Sequence, residues 1–353
     1  MPSALLVRLN TDDPNLAQIT EVARECREGK IVAFPTETVY GIGGPMICPN
    51  IESKLAHLKQ RGSEKPFAYH IGSWDMIDQL KVERSPEFRF LKRKFWPGPL
   101  TLLARTSQGR KIGLRFPKHP LAVALFNATG VPYVATSANL SGAKDSVTAE
   151  DVAKIFGNSI DYILDGGAAL HQQSSSIVDI SSDKPVFIRK GVMTAEVEKA
   201  LGQIEQKRFP KRVVLIVCTG NSCRSPMAQG LLLDELARSG HRGEVDVVSC
   251  GIHAREGGEP TPEAMCVMRN HEIDISGHKT RPCMREDVMD ADVILAMSKE
   301  HQLFVTGLVP EAKSKTLLLG IKDPIGCSLQ VYEEVFEQIN KKIQDHWEYL
   351  VPS

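Results

Sequence analysis

The sequence has no excess of either charge and no long apolar run. Lys plus Arg and Asp plus Glu are equal, at 43 each in 353 residues. A net charge of zero gives no global field, so any contact with nucleic acid must depend on a local patch. No stretch reaches the roughly 18 uncharged apolar residues of a membrane span, and the first residues do not have the pattern of a signal peptide. We therefore expect a soluble, cytoplasmic protein with no membrane partner.

Cysteine is present, but its spacing is irregular. The sequence has 8 cysteines, with no CxxC pair and no Cys/His cluster at the spacing of a zinc site. A disulfide framework or a structural zinc site needs patterns of that kind. We therefore predict reduced thiols and no metal ligands supplied by the chain.

The chain is long enough for about two domains of roughly 150 residues each. A polar stretch over residues 203–212 separates two segments that both contain apolar strands and amphipathic helices, which favours an α/β fold. We predict a first domain over 1–203, a linker over 204–211 and a second domain over 212–353. Strand candidates are 30–35, 67–71, 100–104, 133–136, 162–165, 176–180 and 186–189, then 213–217, 245–249 and 293–296.

The second segment opens with an apolar run, 213–217, that ends at Cys218. Such a run is typical of a buried parallel strand, and a helix is predicted to start at about Ser225. A thiol becomes a nucleophilic thiolate beside a helix N-terminus and a fixed cation, here Arg224. The pattern predicts a small doubly wound parallel sheet with helices on both faces. The predicted phosphate-binding loop consists of Thr219, Gly220, Asn221, Ser222, Cys223 and Ser225 around the Cys218 nucleophile.

Phosphoester cleavage also needs an acid that protonates the leaving group and then activates water. Asp323 precedes Pro324, and a residue before proline is biased away from helix. Such a loop carboxylate can point into a site from outside. We therefore predict Asp323 as the general acid and base.

Residues 211 to about 350 resemble the low-molecular-weight protein-tyrosine phosphatase family, through the Cys218 loop, the helix start Ser225-Pro226-Met227-Ala228 and Asp323-Pro324. The resemblance implies a phosphocysteine intermediate on Cys218, transition-state stabilisation by Arg224, a phosphoprotein substrate and no cofactor. It also implies a reversible disulfide between Cys218 and Cys223 under peroxide.

Two departures from the tyrosine-directed pattern affect the expected substrate. Ser222 replaces an aliphatic residue, and Ile325-Gly326 replaces aromatic residues that would pack on a phosphotyrosine ring. A small hydroxyl at that loop position is similar to bacterial protein-arginine phosphatases, so phosphoarginine is favoured over phosphotyrosine. An arsenate reductase on the same fold is the alternative, although the spacing of Cys250, Cys266 and Cys283 does not match its cysteine relay.

The first segment carries several polar motifs at predicted strand ends. Residues 34–41 place hydroxyls and a carboxylate before the glycine pair Gly43-Gly44, which lets a ligand approach the backbone. The cations of 59–65 suit a polyphosphate. Further motifs are the proline turn 96–101, the Ser-Ala-Asn block 137–139 and the Ser-Ser-Ile-Val-Asp block 175–179.

In this order, the motifs resemble the YrdC family over residues 8 to 200. The resemblance implies a twisted mixed α/β sheet and synthesis of threonylcarbamoyl-AMP from L-threonine, bicarbonate and ATP, with release of pyrophosphate and with Mg²⁺ as the expected metal. ATP is then a substrate rather than a cofactor. The residues implied for threonine are Thr38, His70, Arg115, Ser137 and Ser175, and those implied for ATP are Lys59, Arg61, Lys65, Lys111, Asn139 and Arg189.

The product of that reaction feeds threonylcarbamoylation of a tRNA adenosine, so the resemblance also implies a contact with tRNA and a separate downstream transferase. Gly62 replaces the usual proline, and Ser176 replaces the usual threonine. These departures leave an alternative open, in which the first half is a non-catalytic RNA- or nucleotide-binding module that delivers the phosphatase to its target.

Overall fold

The computed structural model describes residues 3–60, 67–182 and 184–351. The chain divides into two compact units, Met1–Gln206 and Lys207–Ser353. The predicted linker begins inside the last helix of the first unit, which runs to Glu205. Among the described helices, none combines the length and the apolar character needed to cross a bilayer.

The first unit is built on one ten-stranded mixed sheet with strand order β1-β8-β2-β3-β7-β4-β6-β5-β9-β10. This confirms the mixed α/β fold expected for the first half. The strands are β1 Leu5–Arg8, β2 Val32–Phe34, β3 Gly41–Pro45, β4 Ala68–His70, β5 Leu100–Arg105, β6 Lys111–Arg115, β7 Tyr133–Ser137, β8 Tyr162–Asp165, β9 Ser176–Asp179 and β10 Val186–Arg189.

The helices of the first unit begin where the sequence supplies caps. The Asn15 side chain accepts a hydrogen bond from the Gln18 N–H at the start of α1, and Thr148 and Asp151 form a capping box at the start of α6. The helices are α1 Leu16–Arg27, α2 Ile51–Leu58, α3 Asp75–Gln79, α4 Pro86–Phe95, α5 Pro120–Thr129, α6 Ala149–Phe156 and α7 Thr194–Glu205.

Strand register brings the polar ends of distant segments together in the first unit. His70 pairs with Arg115 across β4 and β6, and Gly41 pairs with Ser137 across β3 and β7. A Cβ atom on Gly43 would lie 2.3 Å from the Val134 carbonyl oxygen, so this central strand requires glycine there. The sheet thus gathers motifs that are far apart in the sequence.

The second unit contains a four-stranded, all-parallel sheet with order β12-β11-β13-β14. Its strands are β11 Arg212–Cys218, β12 Val245–Gly251, β13 Val293–Ala296 and β14 Thr316–Leu318. Its helices are α8 Arg224–Arg238, α9 Pro262–Asn270, α10 Arg285–Asp290, α11 Lys299–Leu308, α12 Leu329–Asp345 and α13 Trp347–Leu350, with a 3₁₀ helix over Pro310–Lys315.

Alternate residues of β11 face two separate apolar clusters. Val214 and Ile216 pack with side chains of α8, α9 and α12, whereas Leu215 and Val217 pack with side chains of α10 and α11. A strand that is apolar on both faces needs helices on both sides, which is why 213–217 is a continuous apolar run. The predicted doubly wound arrangement is confirmed.

Candidate functional sites

Cys218 lies at the carboxyl end of β11, where the chain turns into α8. Its Sγ atom lies 2.9 Å from the Ser225 hydroxyl oxygen and accepts a hydrogen bond from the Asn221 N–H at 3.2 Å. The helix begins at Arg224, one residue before the predicted start. The thiol therefore lies at a helix N-terminus inside a loop that curls around it, as expected for an anion-binding site.

Asn221 holds the loop in shape. It adopts a left-handed backbone conformation, φ 55°, which asparagine tolerates better than most residues. Its side-chain amide donates to the Ser225 and Ser249 hydroxyls at 2.9 and 3.0 Å, and its side-chain oxygen accepts the Arg281 N–H at 2.9 Å. A Cβ atom on Gly251 would lie 2.6 Å from the Thr219 carbonyl oxygen, so β12 packs directly against the loop.

Arg224 and Asp323 form an ion pair at the mouth of the loop. The Arg224 side chain is only 4% exposed, whereas that of Asp323 is 38% exposed. The same guanidinium donates to the Ile321 carbonyl oxygen at 3.2 Å and to the Thr219 hydroxyl at 3.0 Å, while its buried Nε atom has no partner among the described residues. An unpartnered buried N–H beside the thiol suits an anionic ligand.

Opposing effects act on the pKa of the Cys218 thiol. Burial raises the pKa of Cys218, whereas the hydrogen bonds from Ser225 and Asn221 and the charge of Arg224 act to lower it. The Ser225 hydrogen bond therefore favours the thiolate, but burial is the larger effect. The field of the α8 N-terminus, which favours negative charge, adds to the lowering effects.

The residues expected to determine the phosphatase substrate lie at the rim. The Ser222 hydroxyl lies 3.7 Å from Cys223 Sγ, and Cys223 in turn lies 3.4 Å from the buried Tyr332 hydroxyl. Ile325 is 63% exposed, and Gly326 has a left-handed φ of 76°. The residues after Asp323-Pro324 thus form an open wall without an aromatic ring.

A cavity of about 170 Å³ lies in the first unit beside the central strands. The residues predicted for ligands that line it are His70, Arg115, Ser137, Ser175 and Arg189. The remaining lining residues are Thr36, Val39, Tyr40, Gly41, Phe67, Ala68, Thr101, Ala135, Thr136, Ser174 and Ile177. The wall is therefore rich in hydroxyls and carries two arginines.

Arg115 is held by a buried carboxylate. Its Nη2 atom lies 2.9 Å from Glu37 Oε1, and both side chains are 6% exposed. The same nitrogen donates to the Thr38 hydroxyl at 2.7 Å, and the second Glu37 oxygen accepts the Lys118 N–H at 2.9 Å. Thr38 thus contacts Arg115, which lines the cavity. Glu37 and Thr38 hold Nη2 of the guanidinium, while Nε remains without a partner among the described residues.

His70 is the register partner of Arg115 on the neighbouring strand β4. Its Nδ1 atom is buried and has no partner among the described residues. Burial, with a smaller effect of the Arg115 charge, lowers the pKa of His70 to about 3. The neutral ring therefore offers an unsatisfied polar atom in the cavity wall, which suits a bound polar ligand.

The Ser175 hydroxyl contacts side chains of both β5 and β10. Its hydroxyl lies 3.0 Å from the Thr101 hydroxyl and accepts from Arg189 Nη2 at 3.1 Å. Ser176, in contrast, is fully buried and donates to the Val192 carbonyl oxygen at 2.6 Å. The hydroxyl at position 176 therefore shapes the turn behind the cavity rather than its wall.

The second set of predicted residues is only partly brought together. Lys59 Nζ donates to the Ser137 carbonyl oxygen and to Asn139 Oδ1, both at 2.7 Å. Lys111 lies at the opposite end of β6 from Arg115 and pairs with Asp179. The structure therefore does not bring Lys111 to the cavity. Arg61 and Lys65 lie outside the described residues, as does Gly62.

Three residues that contribute to these sites were not predicted. Glu37 and Thr101 lie inside quoted motifs, so their position after a strand or turn was the available signal. His301 contacts the Thr219 hydroxyl from a helix 82 residues away, at 3.0 Å. Its sequence signal was the pattern Ser298-x-x-His301, which resembles a capping box with histidine in place of Glu or Gln.

Comparison with known proteins places each unit. Residues 24–191 match the family model for Sua5, YciO and YrdC, described as Telomere recombination. Residues 213–351 match the family model described as Low molecular weight phosphotyrosine protein phosphatase. The first match ends before the boundary between the two units and the second begins after it, so the matches do not overlap.

Individual relatives agree with the first match. A threonylcarbamoyl-AMP synthase of Pyrococcus abyssi is 36% identical over 50% of this chain and 55% of its own length. A putative threonylcarbamoyl-AMP synthase of Mycobacterium tuberculosis is 33% identical over 50% of this chain and 85% of its own length. The crystal structure of P. abyssi Sua5 complexed with L-threonine shares 25% identity, with a TM-score of 0.53, over 89% of this chain and 99% of that chain. The chain thus spans about half the length of the first of these curated relatives.

Proposed function

Because this chain belongs to the Sua5/YciO/YrdC family through its first unit and matches the low-molecular-weight phosphatase family through its second, we propose that it is a bifunctional enzyme. The first unit is proposed to make threonylcarbamoyl-AMP, and the second to remove phosphate from a phosphoprotein. The observation that carries the proposal is the presence, in one chain, of both a hydroxyl- and arginine-lined cavity and a Cys218 loop.

In the second unit, the proposed reaction proceeds in two displacements. Cys218 Sγ attacks phosphorus and the bond from phosphorus to the leaving group breaks, while Asp323 donates a proton to the departing atom. Water then attacks the phosphocysteine, and Asp323 takes the proton from that water, which releases inorganic phosphate and restores the thiolate. The placement of Arg224 beside both groups supports its role in stabilising charge on the transferred phosphoryl group.

Phosphoarginine is the proposed substrate class. The exposed Ile325 and Gly326 offer no aromatic surface for a phosphotyrosine ring, and the half-buried Ser222 hydroxyl lies at the loop rim, where it can orient water toward a phosphoramidate. Peptides that carry phosphoarginine or phosphotyrosine separate these substrates directly. Faster turnover of phosphotyrosine would contradict the assignment.

In the first unit, the proposed chemistry needs no protein nucleophile. The threonine amine attacks bicarbonate carbon with loss of water, and the resulting carbamate oxygen attacks the α-phosphorus of ATP, which expels pyrophosphate. Positioning and cations are sufficient for such a reaction. The described lining residues supply Arg115 and Arg189 for anionic groups, and His70, Ser137 and Ser175 for threonine and its adduct.

Mg²⁺ and tRNA enter the proposal differently. The described lining residues offer hydroxyls and cations rather than carboxylates, so these residues do not form a Mg²⁺ cage, and no step is assigned to the metal. The proposed product is an activated threonylcarbamoyl group. A separate transferase acting on tRNA must therefore consume it.

Full-length protein incubated with L-threonine, bicarbonate, Mg²⁺ and ATP tests the synthase. We expect pyrophosphate release that requires threonine and a threonine-containing AMP adduct in the mass spectrum. Retention of RNA binding without either product would instead favour the alternative of a binding module. Hydrolysis of p-nitrophenyl phosphate by the same preparation tests the phosphatase.

A further inference from the structure

A buried histidine stands behind the phosphate-binding loop of the second unit and is not one of the residues predicted to act in the reaction. His301 lies in the first turn of α11 and is 0% exposed. Its Nε2 atom lies within hydrogen-bond distance of the Thr219 hydroxyl in the loop, which also contacts Arg224. A buried polar group in contact with the binding machinery can fix its geometry, since its own hydrogen bonds must be satisfied.

The hydrogen bonds of His301 determine where its proton lies. Its Nδ1 atom accepts the backbone N–H of Ser298 at 3.0 Å, so the proton of the neutral ring is on Nε2. Burial, and next the charge of Arg224, lower the pKa of His301 to about 4, which keeps the ring neutral in the ordinary pH range. Nε2–H therefore donates to the Thr219 hydroxyl oxygen, 3.0 Å away.

The Thr219 hydroxyl oxygen consequently accepts two hydrogen bonds. One comes from His301, and the other comes from Arg224 Nη2 at 3.0 Å. Because both lone pairs of the hydroxyl oxygen are occupied, the hydroxyl hydrogen must point away from His301 and from Arg224. This arrangement leaves a single orientation for the hydroxyl and an oxygen that always faces the guanidinium.

Among the described residues, Arg224 has one further hydrogen-bond partner besides Thr219 and its ion-pair partner Asp323. The Ile321 carbonyl oxygen accepts from Nη1 at 3.2 Å, while Nη2 is shared between Thr219 and Asp323. When Asp323 turns to the leaving group, as the proposed reaction requires, Thr219 becomes the only side chain of this set that still holds Nη2.

We infer that His301 is a positioning residue for the phosphatase: its Nε2–H locks the Thr219 hydroxyl as an acceptor, and Thr219 in turn holds the Arg224 guanidinium against the transferred phosphoryl group. The inference rests on the proposed phosphatase activity and adds a residue to it. It predicts an effect on the transition state more than on substrate binding, because charge on the phosphoryl oxygens develops during transfer.

Steady-state hydrolysis of p-nitrophenyl phosphate by the full chain tests this inference. His301→Leu should lower kcat by about 10- to 100-fold, the size expected for a misplaced catalytic group, with a smaller change in KM. His301→Gln, which can place an N–H near the position of Nε2, should recover most of kcat. His241→Leu, at a half-buried histidine in the same unit that pairs with Glu244, should leave both parameters unchanged.

A double-mutant cycle with Thr219→Val separates positioning from general support of the fold. Once the acceptor is removed, His301→Leu should cause little further loss of kcat, because both substitutions interrupt the same chain of hydrogen bonds. Equal losses in both backgrounds would overturn the inference, as would a Thr219→Val chain with unchanged kcat. The latter test applies even if His301→Leu fails to fold.

Nitrogen-15 NMR of the wild-type chain gives a readout that does not depend on turnover. We expect the His301 ring to show the neutral tautomer with hydrogen on Nε2, and hydrogen on Nδ1 would contradict the inference. A wild-type chain that shows the expected tautomer but hydrolyses no phosphoester or phosphoramidate would refute the proposed phosphatase and leave the hydrogen-bond assignment intact.

Discussion

The two candidate sites differ in how the chain assembles them. The phosphate-binding loop of the second unit is a contiguous segment, Cys218 to Ser225, between one strand and one helix. The cavity of the first unit depends on pairs far apart in the sequence, such as Arg115 with Glu37 and Lys59 with Asn139, separated by 78 and 80 residues. A contiguous loop needs local geometry, whereas the cavity needs the whole sheet.

This difference predicts different consequences of substitution. In the loop, a change of the reacting atom removes activity while the surrounding fold keeps its contacts. In the cavity, Arg115 is proposed to bind the ligand and also neutralises a buried charge, so its loss should affect activity and stability together. The predictions below test that contrast.

The largest expected effect is that of Cys218→Ser. Loss of the nucleophile should lower hydrolysis of p-nitrophenyl phosphate by about 10⁴-fold or more, as for other enzymes whose nucleophile is removed. The unfolding midpoint should change little, because the serine hydroxyl retains a partner in Ser225. Cys266→Ser, on α9, provides the matched control and should keep full activity. Substantial turnover by the Cys218 variant would refute this nucleophile.

Asp323→Asn should have the next largest effect on activity. Loss of general acid and base catalysis should lower kcat by about 100-fold, with a small change in KM. The loss should be larger for a substrate with a poor leaving group than for p-nitrophenyl phosphate. Steady-state assays with a series of aryl phosphates measure this dependence, and Asp345→Asn, at the end of α12, serves as a control. Equal losses along the series would contradict the role of Asp323 as acid.

Arg115→Gln should destabilise the first unit and also abolish threonine-dependent pyrophosphate release. Breaking a buried ion pair leaves Glu37 without its charged partner, which costs about 3–5 kcal/mol. Arg110 offers a matched comparison, because its pair with Glu52 is 62% and 50% exposed and should contribute about 0–1 kcal/mol. Urea unfolding followed by tryptophan fluorescence in a Trp347→Phe chain reports the first unit through Trp74 and Trp96. Equal destabilisation by the two arginine substitutions would contradict the expected difference between the buried and the exposed ion pair.

The most gradual expected effect is a dependence of stability on pH through His70. Its pKa is lowered from 6.5 to about 3 in the folded chain, so below pH 6.5 the unfolded chain binds a proton that the folded chain excludes. The contribution is complete above pH 6.5 and is lost as the pH falls toward 3, by at most about 1.4 kcal/mol per pH unit. Urea unfolding of wild type and His70→Gln between pH 7 and 4 measures the difference in slope. His57→Gln, at an exposed position, is the control, and parallel curves for wild type and His70→Gln would contradict the prediction.

The same contrast explains how much could be predicted from the sequence. The apolar run before Cys218 and the helix after it are local signals, so the loop and its fold were predicted, and β13 was predicted with its observed bounds, Val293–Ala296. The central strand β3, Gly41–Pro45, was not among the predicted strands, and its Gly43-Gly44 pair was interpreted as a point where a ligand approaches the backbone. Its pairing with β2 and β7 requires small residues, and tertiary packing of this kind overrides strand propensity.

The site residues follow the same rule. Ser225 was predicted to belong to the loop around Cys218 because both residues lie in one motif. The pairing of Glu37 with Arg115, and that of His301 with Thr219, depend on strand and helix packing that no local pattern encodes. Lys111 was grouped with the other cations on sequence order, but a strand of five residues separates its ends by roughly 13 Å, which directs Lys111 away from the cavity.

One set of measurements tests the central claim, that a single chain carries two separate catalytic units. Wild type, Cys218→Ser and Arg115→Gln chains are assayed in parallel for threonine-dependent pyrophosphate release and for p-nitrophenyl phosphate hydrolysis. We predict that wild type performs both reactions, that Cys218→Ser loses only hydrolysis, and that the arginine variant loses only pyrophosphate release. A wild-type chain that lacks either reaction, or a Cys218→Ser chain that loses both, would contradict the account.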